Sequence, residues 1–213
     1  MSVILVGGQK GGVGKTTIAS NLVVLLARRS LDVCLLDADP QASSARWAER
    51  RSEQQPQRPV VHCVQKSGDV RTAAADLAGR YRHIVVDAGG RDSKELRSAL
   101  LAADVFVTPL RASQLDLETL AALGEVVSAT LLYNPSLRRH SVLSIAPSNP
   151  RIREVADARE ALGEVYDELL PLLSTVVRER KAYRDAVLVG LGVVELDNAL
   201  ATAEIESLAN EIL

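Results

Sequence analysis

The residues Gly7-Gly8-Gln9-Lys10-Gly11-Gly12-Val13-Gly14-Lys15-Thr16-Thr17 have the types and spacing to cradle a phosphate chain. Glycines let backbone N–H groups turn inward around an anion, and a helix starting near Lys15 adds the positive end of its dipole. In such a loop Lys15 neutralises the β and γ oxygens and the Thr16 hydroxyl ligates Mg²⁺. Gly11, Gly12, Val13, Gly14, Lys15, Thr16 and Thr17 are the expected nucleotide contacts. The common spelling G-x-x-x-x-G-K-[ST] places its first glycine where this chain has Gln9. A G-x-G-x-x-G dinucleotide site fits less well, because a Lys-Thr pair directly after the last glycine has no role at a pyrophosphate–ribose crevice. Lys10 is a second lysine without an obvious phosphate of its own.

Two further segments end apolar runs on acids. "HIVVDAGG" ends on Asp87, the place for a carboxylate that holds a Mg²⁺-bound water. "CLLDADPQ" ends on Asp37, with Asp39 two residues on in a loop that Pro40 stiffens. Asp39 is placed to orient, or take a proton from, an attacking water, and joins Thr16 and Asp87 as a candidate metal-binding group. One strand-end aspartate serves equally well as a helix cap. Three beside one phosphate loop favour chemistry. His62, His83 and His140 have no motif context, and Cys34 and Cys63, in "VCLLD" and "VVHCV", match no metal spacing and suit buried strands.

The elements that must position these groups follow from periodicity. Short apolar, β-branched runs occur at 2–7, 32–37, 59–64, 83–88, 104–109, 141–146 and 173–177. Between most of them lie stretches of helical period, such as Ile18, Leu22, Leu25 and Leu26, or Leu117, Leu120, Leu123 and Val127. Strands alternating with helices predict an α/β fold, a mostly parallel twisted sheet covered by helices on both faces. Residues 49–58 read as a helix end and an exposed connection, and 133–141 as a surface break. Residues 195–213 read as a helix with Leu200, Ile205, Leu208 and Ile212 on its apolar stripe. At 213 residues the chain is expected to be one domain, 1–213.

Composition narrows the function classes. Aromatics at 3% argue against a stacking platform for single-stranded nucleic acid, and a net charge of -2 requires any nucleic-acid contact to come from a local patch. No apolar run reaches the ~18 residues of a membrane span, and "MSVILVGG" lacks the features of a signal peptide. The expected location is cytoplasmic.

Together, "KGGVGKTT" (10–17), "DADPQ" (37–41) and "HIVVDAGG" (83–90) resemble the deviant Walker A, switch I and Walker B segments of ParA/MinD-type ATPases. The resemblance continues through "VFVTPLRASQLDLETL" (105–120) and "RERKAYRDAVLVGLGVVEL" (178–196), and the chain looks most like the small plasmid-partition ParA subgroup that lacks an N-terminal DNA-binding extension. "DAGG" departs from the more usual D-x-P-P. The resemblance implies a P-loop NTPase fold of the deviant Walker A type, with ATP and Mg²⁺ as cofactors. It also implies an ATP-dependent homodimer in which Lys10 reaches the phosphates held by the partner subunit.

Further implications are nonspecific DNA binding in the ATP state, nucleoid association, no membrane, and a small centromere-binding, ParB-type partner that stimulates weak intrinsic hydrolysis. The expected function is plasmid or chromosome partition. Its alternatives are positioning of a microcompartment or protein cluster on the nucleoid, or MinD-like regulation of division. Arg151, Arg153, Arg178, Arg180, Lys181 and Arg184 are the candidate DNA contacts, after an earlier basic pair at Arg138 and Arg139. Pro147, Asn149 and Tyr183 are the candidate adenine contacts.

Overall fold

The computed structural model describes residues 2–112, 117–149, 151–163 and 168–213. Seven strands, β1 (Ser2–Val6), β2 (Val33–Asp37), β3 (His62–Gln65), β4 (His83–Asp87), β5 (Val105–Arg111), β6 (Arg138–Ala146) and β7 (Leu172–Arg178), form one sheet in the order β3-β2-β4-β1-β5-β6-β7. Every pairing is parallel. Among the described residues eight α-helices connect or follow them: α1 (Lys15–Arg28), α2 (Ser43–Gln54), α3 (Arg71–Ala78), α4 (Lys94–Ala102), α5 (Leu117–Leu131), α6 (Glu154–Gly163), α7 (Lys181–Leu188) and α8 (Ala199–Ile212).

Alternation of side chains along each strand divides the core in two. Ile4, Val6, Leu35, Val85 and Val107 pack under α1, α2, α7 and α8. Val3, Leu5, Leu36, Val86 and Phe106 pack under α3, α4, α5 and α6. Covering both faces makes the inner strands apolar at every position, which is why they read as continuous hydrophobic runs.

All seven strand segments are where periodicity put them, with three local differences. The 59–64 run yields an edge strand, β3, in which Val64 is exposed and Cys63 half-buried, because only one neighbour pairs with it. The break at 133–141 is shorter than expected, since β6 already starts at Arg138, paired with Val105. In α8 the buried stripe is Ala201, Ile205, Leu208, Ala209 and Ile212, and Leu200 faces out, 64% exposed. Residues 113–116, part of the 105–120 segment quoted above, lie outside the described residues.

Candidate functional site

Strand register sets the site. Val6, Asp37 and Asp87 lie side by side at the carboxyl ends of β1, β2 and β4. β1 sits between β4 and β5, so the chain leaving Val6 enters the crevice where the strand order changes direction, the usual ligand position in an open parallel sheet. The glycine loop crosses that crevice and α1 starts at Lys15, preceded by Gly14 with φ 86°. No side chain caps α1, so its first N–H groups remain available to an anion. The Ser144 hydroxyl of β6 donates to the Val13 carbonyl at 2.8 Å and fixes the loop from outside.

Lys15 is 8% exposed, and its Nζ donates to the Lys10 carbonyl at 2.5 Å. Burial lowers the Lys15 pKa, a shift that the nearby Asp87 and Asp39 carboxylates oppose. Asp87 is buried; one carboxylate oxygen accepts from the Thr16 hydroxyl at 2.7 Å and from the Ser44 hydroxyl at 2.6 Å. The other, Oδ1, is buried and accepts no hydrogen bond. Burial pushes the Asp87 pKa up to about 6 against those two hydroxyls, and Asp37 and Asp39 push in the same direction.

Asp37 plays the capping role. Its oxygens accept from the backbone N–H groups of Asp39 at 3.0 Å and Ala45 at 2.8 Å, which ties down the start of α2 from the end of β2. Asp39 stands half-buried at the cleft and accepts from the Gln41 N–H at 2.9 Å, a local turn that presents its carboxylate. The Walker-B-like glycines fit tightly here. A Cβ on Gly89 would lie 3.2 Å from the Asp39 carboxylate, and one on Gly90 3.0 Å from both Gly11 N and Lys15 Nζ. The "DAGG" departure therefore lets this backbone press against the phosphate loop at a distance that side-chain-bearing residues would obstruct.

A cleft lined by Gly11, Gly12, Gly14, Lys15, Thr16, Thr17, Asp39, Gly90 and Arg91 thus brings the expected phosphate, metal and water-orienting groups together. Val13 lies beneath it, buried. Gly14, Thr17 and Ile145 also line an adjoining cleft, closed by Val177, Arg178, Glu179 and Tyr183, which has room for a nucleoside. Ile145, at the junction, has φ 50°, an unusual conformation for a β-branched residue and a mark of local strain beside a ligand site. Tyr183 contributes to that cleft, but its hydroxyl is engaged with Glu204 at 2.9 Å, and burial pushes its pKa up. Pro147 and Asn149 stand apart from the cleft lining: the Pro147 carbonyl accepts from Arg178 at 2.6 Å, and the Asn149 side chain accepts from the Arg151 N–H at 3.0 Å.

The basic candidates divide by environment. Arg180 is only 18% exposed and donates from two guanidinium nitrogens to one oxygen of Glu204, and Arg178 is half-buried against Pro147. Arg151 is exposed, and Arg153, Lys181 and Arg184 form exposed pairs with Asp157, Asp185 and Glu179. Arg138 and Arg139 begin β6, at the end of the sheet away from the phosphate loop. Ser44, Ser144 and Glu204 were invisible to motif reading, because their partners lie 43, 131 and 21 positions away for Asp87, Val13 and Tyr183.

The Mg²⁺-nucleotide chemistry fits what is present: an anion loop at a bare helix start, a buried lysine, a hydroxyl, and a buried carboxylate oxygen with nothing donated to it. The sequence pattern described as "CobQ/CobB/MinD/ParA nucleotide binding domain" matches residues 4–194. The chain belongs to this family. Relatives of this ParA/MinD-family ATPase include the "Maintenance of carboxysome distribution protein A" of Gloeobacter kilaueensis, 34% identical over 91% of this chain and 84% of that protein. The "Chromosome-partitioning ATPase Soj" of Thermus thermophilus is 34% identical over 66% of this chain and 67% of its own. Among solved structures, the septum site-determining protein MinD of Pyrococcus horikoshii OT3, complexed with Mg-ADP, superposes with a TM-score of 0.73 at 19% identity, covering 99% of this chain and 95% of that one. That likeness establishes the ParA/MinD-type P-loop fold. No helix among the described residues is long and apolar enough to cross a membrane.

Proposed function

We propose that this chain is an ATP-hydrolysing switch that dimerises on ATP, binds DNA nonspecifically in that state, and positions a cargo over the nucleoid with help from a stimulating partner protein. The observation that carries the catalytic part is Asp87: one oxygen held by Thr16 and Ser44, the other buried and bare, beside Lys15 and the glycine loop. Lys15 neutralises phosphate oxygens, Thr16 and Asp87 hold the metal and its water, and Asp39 orients the attacking water. Mg²⁺, when bound, offsets charge on the β and γ phosphates. The adjoining cleft takes the nucleoside, with Tyr183 at its wall, while Pro147 and Asn149 act through backbone shape.

Lys10 is assigned a role in trans. A cation supplied by the partner subunit stabilises charge on the transferring phosphoryl group, and it makes ATP bind the dimer better than the monomer, which is what a switch needs. Phosphate contacts to DNA come from Arg151, Arg153, Lys181 and Arg184, whose exposed ion pairs are worth at most about 1 kcal/mol and exchange readily. Arg178 and Arg180 hold the surface that displays them. Since α8 contains no Lys or Arg, it does not suit attachment to an anionic membrane in a MinD-like cycle.

Two cargoes remain in view. Likeness to the carboxysome distribution protein spans more of the chain than likeness to Soj and favours a protein assembly. The small-ParA motifs favour a DNA centromere bound by a ParB-type partner. Pull-down with this chain locked in its ATP state identifies either one.

The direct test compares Lys10→Ala with Lys15→Ala. Lys15→Ala is expected to weaken nucleotide binding roughly 100-fold by removing a charge-assisted contact. Lys10→Ala should bind nucleotide within about threefold of wild type, yet lose at least about 100-fold in stimulated hydrolysis and fail to dimerise in light scattering. Equal loss of nucleotide binding in both variants overturns the cis–trans separation. ATP dimers that ignore duplex DNA at low salt overturn nucleoid transport.

A further inference from the structure

We infer that Arg91 is a phosphate-binding residue that distinguishes ATP from ADP, a role that rests on the ATP-switch reading and deepens it. Arg91 follows the glycine pair of "DAGG" and lines the cleft with Gly11, Lys15, Thr16 and Asp39. Its position is set by backbone rather than by its own contacts. β4 has already ended at Asp87, and even a Cβ on Gly90 would lie 3.0 Å from Gly11 N and Lys15 Nζ, so this backbone runs along the phosphate loop and sets residue 91 at the rim of the cleft.

Its charge is not spent locally. The adjacent acid, Asp92, forms a bidentate pair with Arg97, both bonds at 2.7 Å, and Arg71, Arg80, Arg153, Arg180 and Arg184 also have carboxylate partners. Arg91 is exposed and has no ion-pair or hydrogen-bond partner among the described residues.

The cleft also needs cations. Asp39 and Asp87 bring two carboxylates to bear on Lys15, and Mg²⁺ leaves part of a triphosphate's four negative charges uncompensated. A guanidinium is a planar, always-charged fork that matches phosphate oxygens bidentately. Asp39 and Gly90 are at the same end of the cleft, where the γ-phosphate must meet the attacking water, so the added charge of ATP over ADP falls within reach of Arg91. Gly90, which lets the backbone lie against Gly11 and Lys15, is a positioning residue.

The test measures ATP and ADP affinity, with Mg²⁺, for wild type, Arg91→Ala, Arg91→Lys and Gly90→Ala by displacement of a fluorescent nucleotide, alongside thermal unfolding without nucleotide. Arg91→Ala is expected to lower ATP affinity about tenfold and ADP affinity less than twofold, with unchanged unfolding. Arg91→Lys should recover part of the ATP affinity, since it keeps the charge but not the fork. Gly90→Ala should imitate Arg91→Ala and weaken ADP as well, because its Cβ also displaces Lys15. Unchanged ATP affinity in Arg91→Ala, or equal losses for both nucleotides, overturns the inference while leaving the switch intact. Wild type that binds neither nucleotide removes the switch, and the role of Arg91 with it.

Discussion

The phosphate cleft and the cluster around Arg51 both bury charge, and they treat it in opposite ways. Arg51, 3% exposed on α2, forms a bidentate pair with Glu195 at 2.8 Å on both arms. It also donates to the carbonyls of Gly190 and Pro59, while Glu195 accepts from the Gly192 N–H at 3.0 Å and Trp47 lies beneath the guanidinium. Burial pushes the Glu195 pKa up, but Arg51, the Gly192 N–H and Arg58 together outweigh it and the net shift is down. Asp87 has two hydroxyls on one oxygen and none on the other, and its net shift is upward. A saturated charge is a structural fastener; a charge left half-satisfied waits for a ligand.

The largest expected effect comes from breaking the fastener. Glu195→Ala leaves a buried guanidinium without its carboxylate and is expected to cost about 3–5 kcal/mol, read as a lower denaturant midpoint. A loss below about 1 kcal/mol would show that water relieves Arg51 and that the two regions differ less than their hydrogen bonds suggest.

Asp87 is expected to behave inversely. Its folded-state pKa, about 6, lies above the ordinary 3.8, so the native state binds the extra proton between those values. That contribution is therefore fully present below about pH 4 and lost as pH rises through about 6. In metal-free protein with chelator, the loss is up to roughly 3 kcal/mol. Asp87→Asn should remove this slope and match or exceed wild-type stability at pH 7, while Mg²⁺-dependent hydrolysis falls about 100-fold or more. Parallel pH profiles for the two proteins would mean that Asp87 is satisfied without a metal.

Glu204→Gln probes the boundary between the regions. Glu204 accepts from Arg178 N, Arg180 and the Tyr183 hydroxyl, three residues that line the cleft adjoining the phosphate site, and itself stands behind them. The expected cost is about 1–2 kcal/mol of stability, with nucleotide affinity changed less than threefold. A larger affinity loss, measured by nucleotide displacement, would place this network inside the binding site.

Much of the fold was legible because both-face burial leaves continuous apolar strands, and much of the site because a phosphate loop is built from consecutive residues. Gly11 to Thr17, Asp39 and Asp87 come together as motif spacing required. Residues 49–58 are a helix end and an exposed connection as read, but the burial of Arg51 within that helix end was not legible, since a charged residue in a polar stretch gives no hint of a carboxylate 144 positions away. Capping by Asp37 was one of two open possibilities, decided by the Ala45 N–H.

Local sequence thus determined what depends on neighbours along the chain: strand periods, the glycine loop, the helix that starts at Lys15, and the acids that end β2 and β4. Tertiary structure alone decided which buried charges are satisfied. That depends on desolvation and on hydrogen bonds between distant segments, as between Ser44 and Asp87 or Glu195 and Arg51, and these distances exist only once the sheet has brought its strand ends into register.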